Sequence, residues 1–361
     1  LNQKNLPLLI IFLVPTSFIL GSFFVNLITS IIILLFLPNL KKFEFKANFE
    51  IIFLFLFFIL IIFSSIINQT SVWKSILYIR FFFFIIAINF FLEKSNYKLN
   101  NNYLLIILSF CSILVIFSLI LEYFFLKFGI NWYGSESVYT GLRFSGVFFD
   151  EYIAGWYLFT FGLMTFIFLF KEKKKLSKFL LVFIIFGIFL SGSRSPLLSL
   201  LVFTILTPIL FYNYYKFFIK IILGIIITTI LIFSFDKIPS RYTEVISYFD
   251  PYFWSEKSFD EKNPLELEFI APKPKNKSIS LLQGFKNTQW GAHYLVSIEM
   301  FKEKKYLGHG MKSFREKCKE NKYENIQSRS KSIRCSSHTH LVFLEILSET
   351  GIFSFIFFYL A

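Results

Sequence analysis
The sequence predicts an all-α integral membrane protein, a polytopic bundle of about ten transmembrane helices with one large outer loop that contains short helices. Three observations carry this expectation. Of the 361 residues 55% are hydrophobic, 54 are phenylalanine and mean hydropathy is +0.63, which is more apolar surface than one soluble core can bury. Apolar runs long enough to cross a bilayer recur along the chain. The lysines gather in every second connection between those runs.

Taking apolar runs of about 18 residues as spans places them at 6–21, 22–39, 50–67, 74–92, 103–126, 151–170, 178–192, 196–215, 217–235 and 341–360. The first two belong to one long run divided by Pro15 and Gly21. Lys4 followed by LPLLIIFLVP resembles the start of a signal peptide, but no small-residue cleavage site follows, so the stretch is expected to stay as a membrane helix. The final residues FIFFYLA stop inside an apolar helix, and the chain is expected to continue past them.

With the N-terminus in the cytoplasm, the inner connections hold Lys41, Lys42 and Lys46, then Lys94 and Lys98, then KEKKKLSK at 171–178, then Lys216. Short cytoplasmic loops collect lysine and arginine in this way. The short outer connections carry only Lys127, Arg143 and Arg194. The formal net charge of +14 is discounted, because Lys, Asn, Ile and Phe are enriched together as an AT-rich genome produces. Membrane lipids are the expected surroundings, and no nucleic acid is expected as a partner.

The chain thus divides into an N-terminal bundle (1–235), an outer loop (236–340) and an incomplete last helix (341–361). Pro239, Pro251, Pro264, Pro272 and Pro274 break the first half of the loop. In its second half GAHYLVSIEMFKEK, 291–304, sets Ala292, Leu295, Ile298 or Glu299, and Met300 at helical spacing, and GHGMKSFREKCKE passes through a glycine turn into another short helix. The loop is too short and broken to be an independent catalytic domain.

Arg143, Arg194 and His340 all fall on the outer side, each within a few residues of a helix end. Arg194 stands in LSGSRSPLL, where Gly192 and the serines bend the chain and Pro196 opens the next helix. A helix N-terminus beside a guanidinium suits phosphate oxygens, which accept from backbone N–H groups and from two parallel N–H bonds of the arginine. Arg143 lies in GLRFSGVFFDEYIAGWYL, just before a helix whose cap or first turn holds Asp150 and Glu151. Capping is the expected job of those two carboxylates, with a salt bridge to a nearby arginine as the other. Arg80, in YIRFFFF, lies about a third of the way into a span and is expected to face the bundle or a wet cavity. Glu345 and Glu349 share one face of the last helix and are its expected partners, since carboxylates buried unpaired are costly.

His338 and His340 border the last apolar run in SSHTHLVFLEILSETGIF, residues 336–353. An imidazole with its ordinary pKa of about 6.5 is largely neutral at neutral pH and can take a proton from a hydroxyl, so His340 is read as a general base with His338 beside it. A zinc site drawn from these with His293, His309 and Cys335 lacks compact paired spacings, so no metal and no cofactor is expected. Cys111 lies within a span. Cys318 and Cys335 flank a polar loop of 16 residues outside the cytoplasm, where thiols oxidise, and are expected to form a disulfide.

Four stretches, RFSGVFFDEYIAGWYL, SGSRSP, FKEKKYLGHGMKSFREKC and CSSHTHLVFLEILSETGIF, together with the many-helix layout and one large late loop, resemble the O-antigen ligase and O-antigen polymerase superfamily of bacterial membrane glycosyltransferases. Ligases of that family carry a histidine, then Asn, Ser or Gln, nine further residues and a glycine; here His340, position 341 and Gly351 keep the spacing, with Leu341 at the polar position. The polymerase pattern is His-Pro-His and a polar residue, and Thr339 stands at its proline. The resemblance implies an inner-membrane protein with its active site facing the periplasm. Its donor is then an undecaprenyl-pyrophosphate-linked glycan, and its acceptor a sugar hydroxyl on a glycan or on lipid A core. Carried over by residue, His340 is the base, Arg143 and Arg194 hold the pyrophosphate, and Arg241 in PSRYTEV is a third anchor. The transfer implied is inverting and metal-independent.

Ligase and polymerase differ in acceptor, and the histidine motif leaves both open. A lipid-linked oligosaccharide flippase also has many helices and internal cations, but its charges are expected along a central path at membrane depth, not at one outer rim.

Overall fold
The computed structural model describes residues 6–42, 49–94, 101–124, 143–148, 151–172, 174–210, 289–323 and 341–361, with single positions at 130, 223, 230, 326, 335, 336 and 339. The regular elements among them are helices. These are α1 (Leu6–Phe12), α2 (Val14–Leu20), α3 (Ser22–Phe36), α4 (Phe49–Ile67), α5 (Val72–Lys94), α6 (Asn101–Phe124), α7 (Ala154–Tyr157), α8 (Leu163–Glu172), α9 (Lys174–Leu190), α10 (Arg194–Leu210), α11 (Gln289–Glu303), α12 (Phe314–Lys317) and α13 (Val342–Leu360).

Five stretches among the described residues are long and apolar enough to cross a membrane: Ser22–Leu40, Phe49–Ile67, Val72–Glu93, Tyr103–Phe124 and Val342–Leu360. The protein is a helical membrane protein. Helix α4 shows why: it exposes Phe55, Ile59, Phe63 and Ile66 while burying Phe58 and Ile61, so it is apolar all round and its outer face belongs against lipid. The expected first span is instead two short helices, α1 and α2, parted at Leu13 just before Pro15, whose missing N–H cannot continue an α-helical ladder. The span expected at 217–235 lies outside the described residues, apart from the single positions 223 and 230.

The chain forms two compact units, Leu1–Leu35 with Ile88–Val245, and Phe36–Ala87 with Ile246–Ala361. The core of the first is built by α6, α9 and the 154–172 segment, where Val115, Leu119, Leu158, Ile184 and Ile188 are almost fully buried. Between α7 and α8, Leu158–Gly162 winds as a π-helix, a local widening found often near functional sites. The Tyr157 hydroxyl, just before it, donates to the Pro15 carbonyl at 3.2 Å and ties α2 to this core.

In the second unit α13 runs antiparallel to α4. Phe357 stacks on Phe53 with ring centres 5.8 Å apart, Phe358 meets Phe57 at 5.1 Å, and near the other end the Ser64 hydroxyl donates to the Glu349 carbonyl at 3.4 Å. The last turn of α4 is therefore level with Glu349, and the first turns of α13 rise past it. Helix α11 packs on α13. Its buried face is Ala292, His293, Val296, Ser297 and Met300; of the residues expected at helical spacing Ala292 and Met300 are buried, Leu295 and Glu299 are half-buried and Ile298 is exposed. Ser297 can occupy the buried side because it is satisfied locally, donating to the His293 carbonyl at 2.8 Å.

Candidate active site
In the first unit the two arginine-bearing segments adjoin. Segment 143–148 buries Phe144, Val147 and Phe148, and the Phe144 N–H donates to the Ser191 carbonyl at 3.2 Å. Arg143 and Arg194 thus stand on neighbouring turns although they are far apart in sequence. The start of α7 presses on the same turn: a Cβ on Gly155 would lie 2.6 Å from Ser191 Oγ and 3.2 Å from Ser193 Cβ. Arg194 is the first residue of α10, beside backbone N–H groups that the helix leaves for an anion. The Arg143 guanidinium carbon lies 5.8 Å from the Tyr152 ring centre, within cation–π range. Both arginines are half-buried.

Glu151 does not cap the following helix, which begins at Ala154 with Ile153 at its N-cap and no side-chain capping bond. Two residues of extra chain leave Glu151 exposed ahead of the helix, its N–H donating to the Phe148 carbonyl at 2.9 Å. Sequence reasoning also passed over Glu122 near the end of α6. It is fully buried, and the Gly146 N–H donates to its Oε2 at 2.7 Å. A lone carboxylate in the apolar LILEYFF was the signal for it.

In the second unit the GHG turn is locked to a break in α13. Gly351 has φ +78° inside that helix, and the chain of residues 305–310 runs along the opening. The Ile352 N–H donates to the Lys305 carbonyl at 2.8 Å, the His309 N–H to the Ser348 carbonyl at 3.1 Å, and the Gly310 N–H to the Glu349 carbonyl at 2.7 Å. The approach requires glycine on both sides. A Cβ on Gly308 would sit 2.4 Å from the Glu349 carbonyl carbon, and one on Gly351 would sit 2.2 Å from the Tyr306 oxygen. The end of α4 holds the turn from a third direction. Ser64 donates to the Leu307 carbonyl, Asn68 Nδ2 to the Gly308 carbonyl at 2.9 Å, and the Met311 N–H to Ser65 Oγ at 3.2 Å.

Glu345 and Glu349 belong to this lock. Glu349 is 1% exposed and accepts from the Lys312 N–H at 2.7 Å and the Phe314 N–H at 3.0 Å. Glu345 Oε1 accepts from Lys312 Nζ at 2.8 Å. Their expected pairing with Arg80 is corrected: among the described residues Arg80 makes no ion pair, and its guanidinium carbon lies 4.9 Å from the centre of the Phe81 ring. Lys312 and two backbone amides have taken both carboxylates. Lys312 is held at φ +60°, a strained conformation for a side-chain-bearing residue that this double attachment supports. Burial pulls its ammonium down, but the hydrogen bond and charge of Glu345 outweigh it and leave the pKa raised.

His309 turns inward, and its Nε2 lies 2.9 Å from the Met300 carbonyl. Because a carbonyl only accepts, that nitrogen carries the hydrogen. Burial holds the ring below the ordinary imidazole pKa, so the Glu303 carboxylate 3.6 Å away faces a neutral ring. The turn leads into α12, where Val296, Met300, Phe314, Cys318 and Tyr323 form a small core. Cys318 is disulfide-bonded to Cys335, with Cα atoms 5.5 Å apart. Thr339 is fully buried; its Oγ1 donates to the Leu341 carbonyl at 2.8 Å and receives the Leu341 N–H at 3.3 Å, fixing the entry to α13. His338, His340 and Arg241 lie outside the described residues.

A profile of the O-antigen ligase family matches residues 179–359, just over half of the chain, a stretch that takes in Arg194, the GHG turn, the disulfide, both histidines of the HTH motif and the Gly351 break. No curated protein and no solved structure matches. The chain belongs to the O-antigen ligase family.

Proposed function
We propose that the protein transfers a glycan from undecaprenyl pyrophosphate to a sugar hydroxyl at the periplasmic face of the bacterial inner membrane, as an O-antigen ligase. His340 takes the proton of the acceptor hydroxyl, whose oxygen attacks the anomeric carbon. The bond from that carbon to the phosphate oxygen breaks with inversion, and undecaprenyl pyrophosphate departs. Negative charge grows on the leaving diphosphate, and the fixed guanidinium groups of Arg143 and Arg194, with Arg241, stabilise it without a metal.

Beyond the family match, one observation carries this reading: the Phe144–Ser191 backbone hydrogen bond seats the two arginine-bearing turns side by side at a helix N-terminus. The test is transfer in vitro from a defined undecaprenyl pyrophosphate glycan to candidate acceptors, with and without EDTA. His340→Ala is expected to lower transfer by at least about a hundredfold, the contribution of a general base, while the protein still accumulates in the membrane. Wild-type activity is expected to survive EDTA. Transfer by His340→Ala at the wild-type rate would remove the base assignment, and activity lost to EDTA and restored by a divalent cation would remove the metal-free one. A polymerase uses the same steps with a different acceptor. Deleting a ligase leaves no glycan on lipid A core, whereas deleting a polymerase leaves single repeat units there.

A further inference from the structure
We propose that Glu122 is a positioning residue for the lipid-linked donor, acting through Arg143; this rests on Arg143 being a diphosphate ligand. Glu122 is the only acidic residue of α6 and is fully buried. A carboxylate there is retained against its desolvation only if polar partners meet it. Its partner is the loop that carries Arg143: the Gly146 N–H donates to Oε2 at 2.7 Å.

The loop reaches the carboxylate because residue 146 is glycine. Gly146 has φ +59°, and a Cβ there would lie 2.5 Å from Ser118 Oγ, one turn before Glu122. Next along α6, the Tyr123 ring meets Phe144 edge-on at 5.6 Å. Segment 143–148 therefore has three fixed points, namely the Glu122 carboxylate, the Tyr123 ring and the Ser191 carbonyl that receives the Phe144 N–H. Packing of Phe144, Val147 and Phe148 holds the segment against the core but does not prescribe direction. The carboxylate does, because its acceptor oxygen fixes the orientation of the 145–146 peptide and so the path by which the chain departs toward Arg143.

The test is a double-mutant cycle on steady-state transfer by the full chain in proteoliposomes, with a defined undecaprenyl pyrophosphate glycan as donor. Glu122→Asp withdraws the acceptor oxygen by one methylene and is expected to raise donor KM about tenfold, within the range of coupled contacts, with acceptor KM unchanged. Glu122→Gln keeps an acceptor for Gly146 and is expected to restore donor KM to within about twofold of wild type. In an Arg143→Ala background Glu122→Asp is expected to add less than about twofold. If Arg143→Ala raises donor KM but Glu122→Asp does not, or if the two effects multiply, Glu122 only supports the core and the proposal falls. If Arg143→Ala leaves donor KM untouched, the diphosphate reading of Arg143 falls and takes this proposal with it. Should Glu122→Asp fail to accumulate, Gly146→Ala replaces it in the cycle with the same expectation, and an unchanged donor KM overturns the proposal.

Discussion
At the scale of single residues, Glu349 is the clearest case of a charge explained by backbone and not by another charge. Both its oxygens accept buried N–H groups, so Glu349→Ala orphans two donors and is expected to cost about 2–4 kcal/mol. Glu349→Gln, which keeps one acceptor, is expected to cost about half as much. Thermal unfolding of the purified protein in detergent reads both values, and equal stability of Glu349→Ala and wild type would show that the bonds are not made. The sequence marked Glu349 as needing a partner but offered Arg80, because side-chain cations have letters in a sequence and amides do not. The same blindness hid Glu122. By contrast, Arg143 and Arg194 stood out in the sequence as cations beside helix ends on the expected outer side. What made them neighbours, the Phe144–Ser191 bond, is a backbone contact and leaves no mark in the sequence.

At the scale of elements, α13 is two helical pieces joined at Gly351, and the GHG turn fits the joint. Gly351→Ala places a methyl group against the Tyr306 carbonyl in a conformation that itself costs about 1–3 kcal/mol. The expected result is loss of more than about 3 kcal/mol, with cleavage by added protease appearing near residues 304–314 before the rest of the chain; unaltered protease resistance there would contradict the interlock. The limits of α4, α5, α6 and α13 could be read from apolar runs because lipid demands about 20 apolar residues per crossing. The break could not be read, since glycine is common inside membrane helices. The helical spacing found α11 and its buried Ala292 and Met300 but not the buried His293 and Ser297, because hydrophobicity does not mark polar residues as interior.

At the scale of the whole molecule, the alternation of lysine-rich connections gives an orientation that can be tested directly. A cysteine at Lys175 is expected to react with a membrane-impermeant maleimide only in inverted vesicles, and one at Lys305 only in intact spheroplasts; the reverse pattern would invert the topology and put the arginines in the cytoplasm. The expected division into a bundle, a loop and a last helix follows the order of the chain, whereas contacts group it into two compact units built from distant segments. Residues 36–87 group with 246–361, because α4 packs antiparallel on the distant α13 as well as on the neighbouring α5, and contacts so distant in sequence are not visible in local composition. Chain order also sets when each buried acid is relieved during synthesis. Glu122 emerges 24 residues ahead of the Gly146 amide that donates to it, so its side chain is made before its partner, and until that partner arrives an apolar setting favours its neutral form. Glu349 follows its amides by 37 and 35 residues, so the donors of that lock are synthesised before their acceptor.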